Sequence, residues 1–315
     1  MQPVEHPYQP ARGGSYLTQD FNQSPFTVAW EITRSCALAC VHCRAEAIPK
    51  RDPRELTTAE AHGLIDQVVE IGKPILVVTG GDPMMRRDVY DVLEYGVSRG
   101  LRMALSPSAT ALVTRRALER VRDIGVSMVH ISLDGADAAT HDSFRGVAGS
   151  FDRTMRILRD CQELGLSVQI GTSVTRRTLA GLADVADRVR EAGARVWSLF
   201  FLVPTGRAKP GDVASAEEYE KIFHKMYDLS KTAPFDIKAT AAPQYSRVIM
   251  ERQVAERREG SRDEKPDVLT GGVMFSLSDG IGRARSVNDG DGFMFISHTG
   301  EIMPSGFLPI PAGNI

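Results

Sequence analysis

The sequence lacks several features that would assign a protein of 315 residues to a membrane or to a secreted class. It contains no run of eighteen apolar residues, so no transmembrane helix is expected. Its first twenty residues carry no apolar segment of the kind found in a secretory signal peptide. The net charge is only -2, which gives no sign of the basic surface that binds a phosphate backbone.

Cysteine is also scarce, and its distribution is informative. Of the four cysteines, three lie within eight residues. A disulfide framework in a secreted domain would spread its cysteines along the chain. The clustering indicates a reducing, cytoplasmic compartment, in which grouped thiols usually bind metal. The hydrophobic fraction of 42% and the charged fraction of 25% are those of an ordinary globular protein.

Apolar runs alternate with helical patterns through most of the chain. Residues 1–24 are polar and are expected to form an N-terminal arm, and residues 25–232 contain six strand-then-helix units. The strands are predicted at 26–33, 74–80, 101–108, 126–135, 166–174 and 195–204, and the helices at 57–71, 86–99, 114–124, 150–164, 178–192 and 216–232. Nearly continuous apolar strands are typical of a parallel sheet that is covered on both faces. Because six units are too few for an eight-unit barrel, an α/β fold with a partial, TIM-like (β/α)6 barrel is expected.

The pattern changes in the C-terminal region, residues 233–315. A charged helix is predicted at 241–258, a polar linker at 259–267, and a β-hairpin at 289–306 that turns at Thr299-Gly300. The chain then ends without a helix or a cap, so we expect an interrupted domain in a truncated chain.

The strongest chemical signal is the spacing C-x-x-x-C-x-x-C, formed by Cys36, Cys40 and Cys43 directly after the first strand. Three thiolates can bind three irons of a [4Fe–4S] cluster and leave the fourth iron open. An open position at a metal is where chemistry takes place. Two other interpretations remain: three incidental thiols, or a zinc site completed by His42 or a distant residue. The fourth cysteine, Cys161, is expected to be a small core residue in a helix.

On this motif the chain resembles the radical SAM superfamily over about residues 25–315. The resemblance implies a (β/α)6 barrel and a [4Fe–4S] cluster whose open iron is chelated by S-adenosylmethionine (SAM). It also implies reductive cleavage of SAM to a 5'-deoxyadenosyl radical, which abstracts a hydrogen from the substrate. An external one-electron donor of the flavodoxin or ferredoxin type would be required. No acid, base or radical-quenching residue can be assigned from the sequence.

The resemblance also implies a set of SAM contacts. The segment TGGDP at 79–83 is similar to the glycine-rich motif that binds the amino group of SAM, although Asp82 stands where Glu is commoner. A GGDP segment on its own is usually a turn, and apolar strand ends are usually core. Asp134 is expected to be structural or to face the substrate, and His42 is expected to act as a shielding ring. The residues expected to contact SAM are Gly80, Gly81, Asp82, Ser106, Ser132, Arg145, Thr172, Leu202 and Val203.

The segment CVHCRA at 40–45 resembles the corresponding segment in the branch that contains haem-pathway enzymes and SPASM-type maturases. This resemblance implies a tetrapyrrole or a peptide as substrate. The segment at 300–315 is similar to the start of a SPASM or twitch extension. Many members carry a cysteine where Ser305 stands here, and a hydroxyl is a poor ligand for an iron–sulfur cluster. We therefore expect no auxiliary cluster built from this chain's own thiols. A non-catalytic iron–sulfur carrier or sensor and a zinc-dependent enzyme are the alternatives.

Overall fold

A computed structural model describes residues 19–260, 274–276, 283–285 and 287–315. Most of the predicted N-terminal arm and of the predicted linker therefore lies outside the described residues. The first seven strands are β1 (Thr27–Thr33), β2 (Ile75–Gly80), β3 (Arg102–Leu105), β4 (Met128–Ser132), β5 (Val168–Val174), β6 (Val196–Phe201) and β7 (Asp236–Thr240). The helices are α1 (Thr58–Glu70), α2 (Val89–Ser98), α3 (Arg115–Ile124), α4 (Ala138–Arg145), α5 (Ser150–Glu163), α6 (Leu182–Glu191), α7 (Ala216–Ser230) and α8 (Tyr245–Gly260).

The later strands are short. They are β8 (Met274–Ser276), β9 (Arg283–Arg285), β10 (Asn288–Asp289), β11 (Gly292–Ile296), β12 (Glu301–Met303) and β13 (Gly313–Asn314). Strands β11 and β12 pair antiparallel and form the predicted hairpin. Strands β8 and β9 pair only with each other, whereas β10 pairs with β11.

One sheet organises the molecule, with the strand order β13-β12-β11-β1-β2-β3-β4-β5-β6-β7. Strands β1 to β7 are parallel, and helices follow them as in a βα repeat. The α/β class and the partial, TIM-like barrel predicted from the sequence are confirmed. The sheet is larger than six strands, however, because β7 extends one edge and β11 pairs parallel with β1 at the other side. The sheet therefore continues past residue 232, and the proposed domain limits stay predictions from sequence pattern.

Alternation of side chains gives the sheet two different faces. Residues such as Val28, Trp30, Ile131 and Ile170 pack in the main apolar core beneath the helices. Their neighbours in the chain point to the opposite, concave face, which we call the lumen. Polar side chains are frequent there, including His130 of β4. A lumen with polar walls is suited to hold a ligand rather than to complete the core.

Local signals explain most helix ends. Helix α1 begins with a capping box between Thr57 and Glu60, and α3 ends at Gly125 in the left-handed conformation. Helix α2 begins later than expected because residues 83–85 form a 3-10 turn capped by Asp82. Helix α4, which lies outside the predicted helices, begins at the N-cap Asp137. Among the described residues, no helix combines the length and the apolar character needed to cross a bilayer.

Candidate active site

The three clustered cysteines lie in a loop of residues 34–48 that follows β1, here called the cysteine loop. Its base is closed by hydrogen bonds from the Cys36 amide to the Ile48 carbonyl at 2.9 Å and from the Ile48 amide to the Arg34 carbonyl at 3.0 Å. Cys36 and Cys40 are each 8% exposed and form one small apolar cluster with Leu38, against which Cys43 packs. The fold thus gathers three thiols that are close in sequence into one shielded position.

Donors surround the sulfur atoms. The Leu38 amide lies 3.3 Å from Cys36 Sγ, and the Ala47 amide lies 3.5 Å from Cys43 Sγ. The guanidinium of Arg145 lies 3.8 Å from Cys40 Sγ. Burial raises the pKa of Cys36, and hydrogen bonds to its sulfur from the Ser108 hydroxyl and the Leu38 amide partly oppose that rise.

The donor set fits an iron–sulfur cluster better than a single zinc ion. Within the part of the chain that the structure describes, no three His, Cys, Asp or Glu side chains converge closely enough to hold one metal ion. A cubane takes one thiolate on each of three irons, so its ligands need not share an ion. His42 stacks on Phe144 with ring centroids 4.1 Å apart. Burial lowers the pKa of His42 to about 4, and the ring packs as an aromatic side chain.

A cavity of about 170 Å³ opens beside Leu38 at the C-terminal ends of β2, β3 and β4. Ligands of parallel α/β sheets bind at this edge. Other lining residues are His141, Ser150 and Thr154. Of the nine expected SAM contacts, five line this cavity: Gly80, Gly81, Ser106, Ser132 and Arg145.

The two glycines are required by the cysteine loop itself. Gly80 has a φ of +146°, and a Cβ there would collide with the Thr33 carbonyl. A Cβ on Gly81 would lie 2.5 Å from the Ser35 carbonyl and 2.6 Å from the Arg34 carbonyl. The two glycines therefore let the end of β2 pack directly against the start of the cysteine loop.

Asp82 is not among the residues that line the cavity, and its expected contact with SAM stays a prediction. One carboxylate oxygen accepts hydrogen bonds from the amides of Met84 at 3.1 Å and Ser108 at 3.3 Å. The other accepts from the Thr110 hydroxyl at 2.8 Å. Asp82 is fully buried, and it holds the loop after β3 in place.

Thr172, Leu202 and Val203 also lie outside the cavity lining. Thr172 is fully buried, donates to the Leu133 carbonyl at 2.7 Å and accepts from the Trp197 indole at 2.9 Å. Its side chain therefore faces the helix layer, since successive residues of a strand point to opposite faces. Leu202 and Val203 follow β6 and are partly buried.

Arg145 ties α4 to the cysteine loop on one side. Its guanidinium forms an ion pair with Asp134, and its carbonyl accepts from the Ala39 amide at 3.2 Å. Burial alone would raise the pKa of Asp134, but the charge of Arg145 lowers it. Asp134 also accepts from the Ser173 amide at 2.7 Å. The expected structural role of Asp134 is consistent with these contacts.

Arg44, the residue after Cys43, ties the loop to the C-terminal hairpin on the other side. It pairs with Glu31 of β1 at 2.5 Å and lies 3.4 Å from the Gly306 carbonyl. His298 approaches the second oxygen of Glu31 at 3.1 Å. Burial would raise the pKa of Glu31, but the His298 hydrogen bond and the Arg44 charge lower it. Sequence reasoning missed this group, although a carboxylate inside an apolar strand was an available signal.

Ser305 and the fourth cysteine have local roles. The buried Ser305 hydroxyl accepts from the amides of Phe307 and Leu308, each at 3.2 Å, and so stabilises a tight turn. Cys161 is fully buried in α5, and burial raises its pKa to about 12. A thiol with so high a pKa is a poor metal ligand, as expected for a core residue.

Comparisons with known proteins identify relatives of this chain. Residues 30–189 match the profile of the radical SAM superfamily. The AdoMet-dependent heme synthase of Nitratidesulfovibrio vulgaris is 41% identical over 97% of this chain and 80% of that protein. The Fe-coproporphyrin III synthase of Methanosarcina barkeri is 34% identical over 61% of this chain and 48% of that protein.

Among solved structures, Streptococcus suis SuiB bound to S-adenosylmethionine superposes with a TM-score of 0.69 at 16% identity. The match covers 93% of this chain and 63% of SuiB. The same protein bound to its precursor peptide SuiA superposes with a TM-score of 0.66 at 16% identity, over 94% of this chain and 63% of SuiB. At this identity the likeness concerns the fold alone.

Proposed function

The chain belongs to the radical SAM superfamily, and on that premise we propose that Cys36, Cys40 and Cys43 hold its [4Fe–4S] cluster. When bound, the cluster supplies the electron that cleaves SAM to methionine and a 5'-deoxyadenosyl radical, which takes a hydrogen atom from the substrate. The observation that carries the assignment is the packing of the three cysteines around Leu38, which itself lines a cavity at the strand ends.

We propose that the cavity beside Leu38 binds SAM. Arg145 lines it and keeps a buried Nε–H donor without a hydrogen-bond partner among the described residues. A ligand carboxylate would satisfy that donor, because charged hydrogen bonds are the strong ones. The hydroxyls of Ser106 and Ser132 and the backbone at Gly80 and Gly81 supply further polar contacts. These groups would orient SAM with its reactive end toward the lumen.

For the substrate, we propose a tetrapyrrole whose side chain is oxidatively modified. The support is the 41% identity to a heme synthase along nearly the whole chain, together with the similarity to an Fe-coproporphyrin III synthase. We further propose a flavodoxin or ferredoxin as electron donor and the reducing cytoplasm as compartment. Modification of a peptide is the competing function. We would favour it if the protein cleaves SAM but leaves tetrapyrroles unmodified.

The substrate proposal is tested by incubating the anaerobically reconstituted protein with SAM, dithionite and Fe-coproporphyrin III. We expect 5'-deoxyadenosine to form faster in the presence of the porphyrin and the mass of the porphyrin to change. Porphyrin that stays unaltered while SAM is cleaved would exclude this substrate. A loaded cluster that never cleaves SAM would instead indicate an electron carrier or sensor.

The ligand assignment is tested by Cys40→Ala, with Cys161→Ala as the matched control. The first variant should lose the visible absorbance of the cluster and all SAM cleavage, because three thiolates are needed to hold the cubane. The second should keep about four irons per chain. Iron and sulfide analysis measures both, and a normal iron content in Cys40→Ala would refute the assignment.

A further inference from the structure

One row of residues crosses the lumen from the candidate SAM cavity to the edge strand β7. Ser132 of β4 lines the cavity and is in register with Gly171 of β5. Gly171 is in register with Ser198 of β6, which is in register with Lys238 of β7. Residues in register share a face of the sheet, so all four lie on the lumen side. Three strand spacings of about 4.8 Å separate Ser132 from Lys238, which gives about 14 Å of sheet surface.

The middle of this row is covered by two rings. Gly171 is buried, and a Cβ there would collide with the imidazole of His130 and approach the Phe200 ring at 3.1 Å. Ser198 is fully buried and accepts a hydrogen bond from Gln169 Nε2 at 2.9 Å. The rings of His130 and Phe200 are partly exposed and stack with centroids 5.7 Å apart. A flat substrate can stack on these rings between Ser132 and Lys238.

The ammonium group of Lys238 at the far end of the row has no counter-charge. Within residues 19–260 and 287–315, no hydrogen bond or ion pair to Lys238 is formed. Asp236, on the same face of β7, interacts with Arg195 instead. The Lys238 side chain is exposed to solvent, so a ligand can reach its ammonium group. The protein around it still lowers its pKa by desolvation, and no anionic group offsets that effect. An opposite charge favours the charged form of a lysine, so a carboxylate would be stabilised at this place.

The rest of the lumen near Lys238 is neutral or positive. His130 contacts the Ser106 hydroxyl through Nδ1 at 3.0 Å, and its buried Nε2 has no partner among the described residues. Burial lowers the pKa of His130 to about 4, and the charges of Arg145 and Lys238 add to the effect. The ring is therefore uncharged at neutral pH, and the nearby carboxylate of Asp134 is already paired with Arg145.

We infer that Lys238 binds a carboxylate of the substrate at the far wall of the lumen, which makes it a specificity-determining residue. The inference rests on the proposed function, because a tetrapyrrole with carboxylate side chains supplies both the flat ring and the anion. With one carboxylate held at Lys238, the opposite part of such a substrate reaches back to Ser132 and the candidate SAM cavity.

The test measures binding of Fe-coproporphyrin III to the reconstituted protein by absorbance titration. Lys238→Gln should weaken binding about 10- to 100-fold, as expected for losing a charged hydrogen bond in a partly desolvated site. Lys238→Arg should keep most of the affinity, because it keeps the charge. Lys225→Gln, at an exposed position of α7, makes the same change in net charge and should bind like the wild type.

The methyl ester of the same porphyrin separates charge from packing. It should bind the wild-type protein more weakly than the free acid does, and it should bind wild type and Lys238→Gln equally. The comparison of acid and ester uses the wild-type protein, so it is valid even if a variant folds poorly. A low iron content would reveal a poorly folded variant. If the wild type does not bind Fe-coproporphyrin III at all, the proposed function fails and the inference fails with it. If the wild type binds but Lys238→Gln binds equally well, or loses affinity for acid and ester alike, only the role of Lys238 is overturned.

Discussion

The cysteine loop is held between two partly buried arginines, and the two sides differ in what each arginine connects. On the first side, Arg145 lines the candidate SAM cavity and reaches both Asp134 and Cys40 Sγ. On the second side, Arg44 contacts Glu31 and a carbonyl of the hairpin, and it forms no hydrogen bond to a sulfur atom of the described residues. The first arginine can therefore influence the thiols electrostatically, whereas the second acts on the position of the loop.

Burial also differs between the two sides. The Asp134 side chain is fully buried and Arg145 is 13% exposed, whereas Arg44 is 25% exposed. A charge left without its partner costs more free energy where water cannot reach it. Loss of Arg145 should consequently affect both stability and chemistry, and loss of Arg44 mainly the docking of the hairpin.

The largest effect is expected for Arg145→Met. It leaves the Asp134 carboxylate buried without a cation, which should lower the free energy of unfolding by about 3–5 kcal/mol. It should also reduce SAM cleavage by more than about tenfold, because a charged contact in the cavity is lost. Anaerobic urea unfolding and 5'-deoxyadenosine assays measure the two effects.

A surface variant provides the control for Arg145→Met. Arg115 pairs with Glu163 on exposed helix surfaces, so Arg115→Met should cost less than about 1 kcal/mol. Equal losses in the two variants would mean that Arg145 has no special role and that the first side does not differ from the surface.

An intermediate effect is expected for Arg44→Met. The lost hydrogen bonds to Glu31 and Gly306 should cost about 1–3 kcal/mol. Hydrogen exchange should rise in residues 297–306, since the hairpin loses its tie to the cysteine loop. Adding Glu31→Gln should restore part of the stability, because the neutral amide needs no cation. Unchanged exchange in the hairpin would contradict the positional role of this side.

The smallest effect is expected for the pH dependence of stability that His141 causes on the Arg145 side of the cysteine loop. Burial lowers the pKa of His141 to about 4, below its value of about 6.5 in the unfolded chain. The folded protein therefore binds fewer protons than the unfolded one, and this stability contribution is present above about pH 6.5 and is lost as the pH falls toward 4. Between pH 7 and pH 6 the loss should be below about 1 kcal/mol.

In the wild type, His141 Nδ1 accepts a hydrogen bond from the Asp134 amide at 3.2 Å. His141→Gln removes the titrating imidazole, and the glutamine side chain still offers an oxygen that can accept this hydrogen bond. The variant should lose less stability than the wild type when urea unfolding is repeated at pH 7, 6 and 5. If the two proteins show the same dependence on pH, protonation of His141 does not contribute to it.

The parts predicted from the sequence are those with local signals. Thr57 and Glu60, three residues apart, form a pattern that indicates the start of α1. The spacing of the three cysteines likewise indicates the cysteine loop. Strand β7 was missed because its lumen residues, such as Lys238, are polar, and this polarity breaks the apolar run that marks a buried strand. Helix α4 was missed, although Asp137 and Thr140 at its start form a recognisable cap.

Two features depend on information that no local pattern contains. Whether Thr172 can face a ligand depends on which face of β5 it occupies, and a shift of one residue reverses every side chain of a strand. The contact between Glu31 and His298 joins residues that are 267 positions apart, so no spacing in the sequence could predict it.

The parallel pairing of β1 with β11 has a consequence for the order in which the molecule folds. Within β1 to β7, each strand pairs with the next strand in the chain, as β1 does with β2. Strand β11 instead pairs with β1, from which almost the whole polypeptide separates it. Contacts with so large a sequence separation form late, because the entropy of closing the intervening loop opposes them. On the ribosome, the cysteine loop would emerge early and would be braced by Arg145 long before Gly306 is synthesised. We therefore expect maturation to have two stages, with iron loading most efficient only after the last strands have joined the sheet.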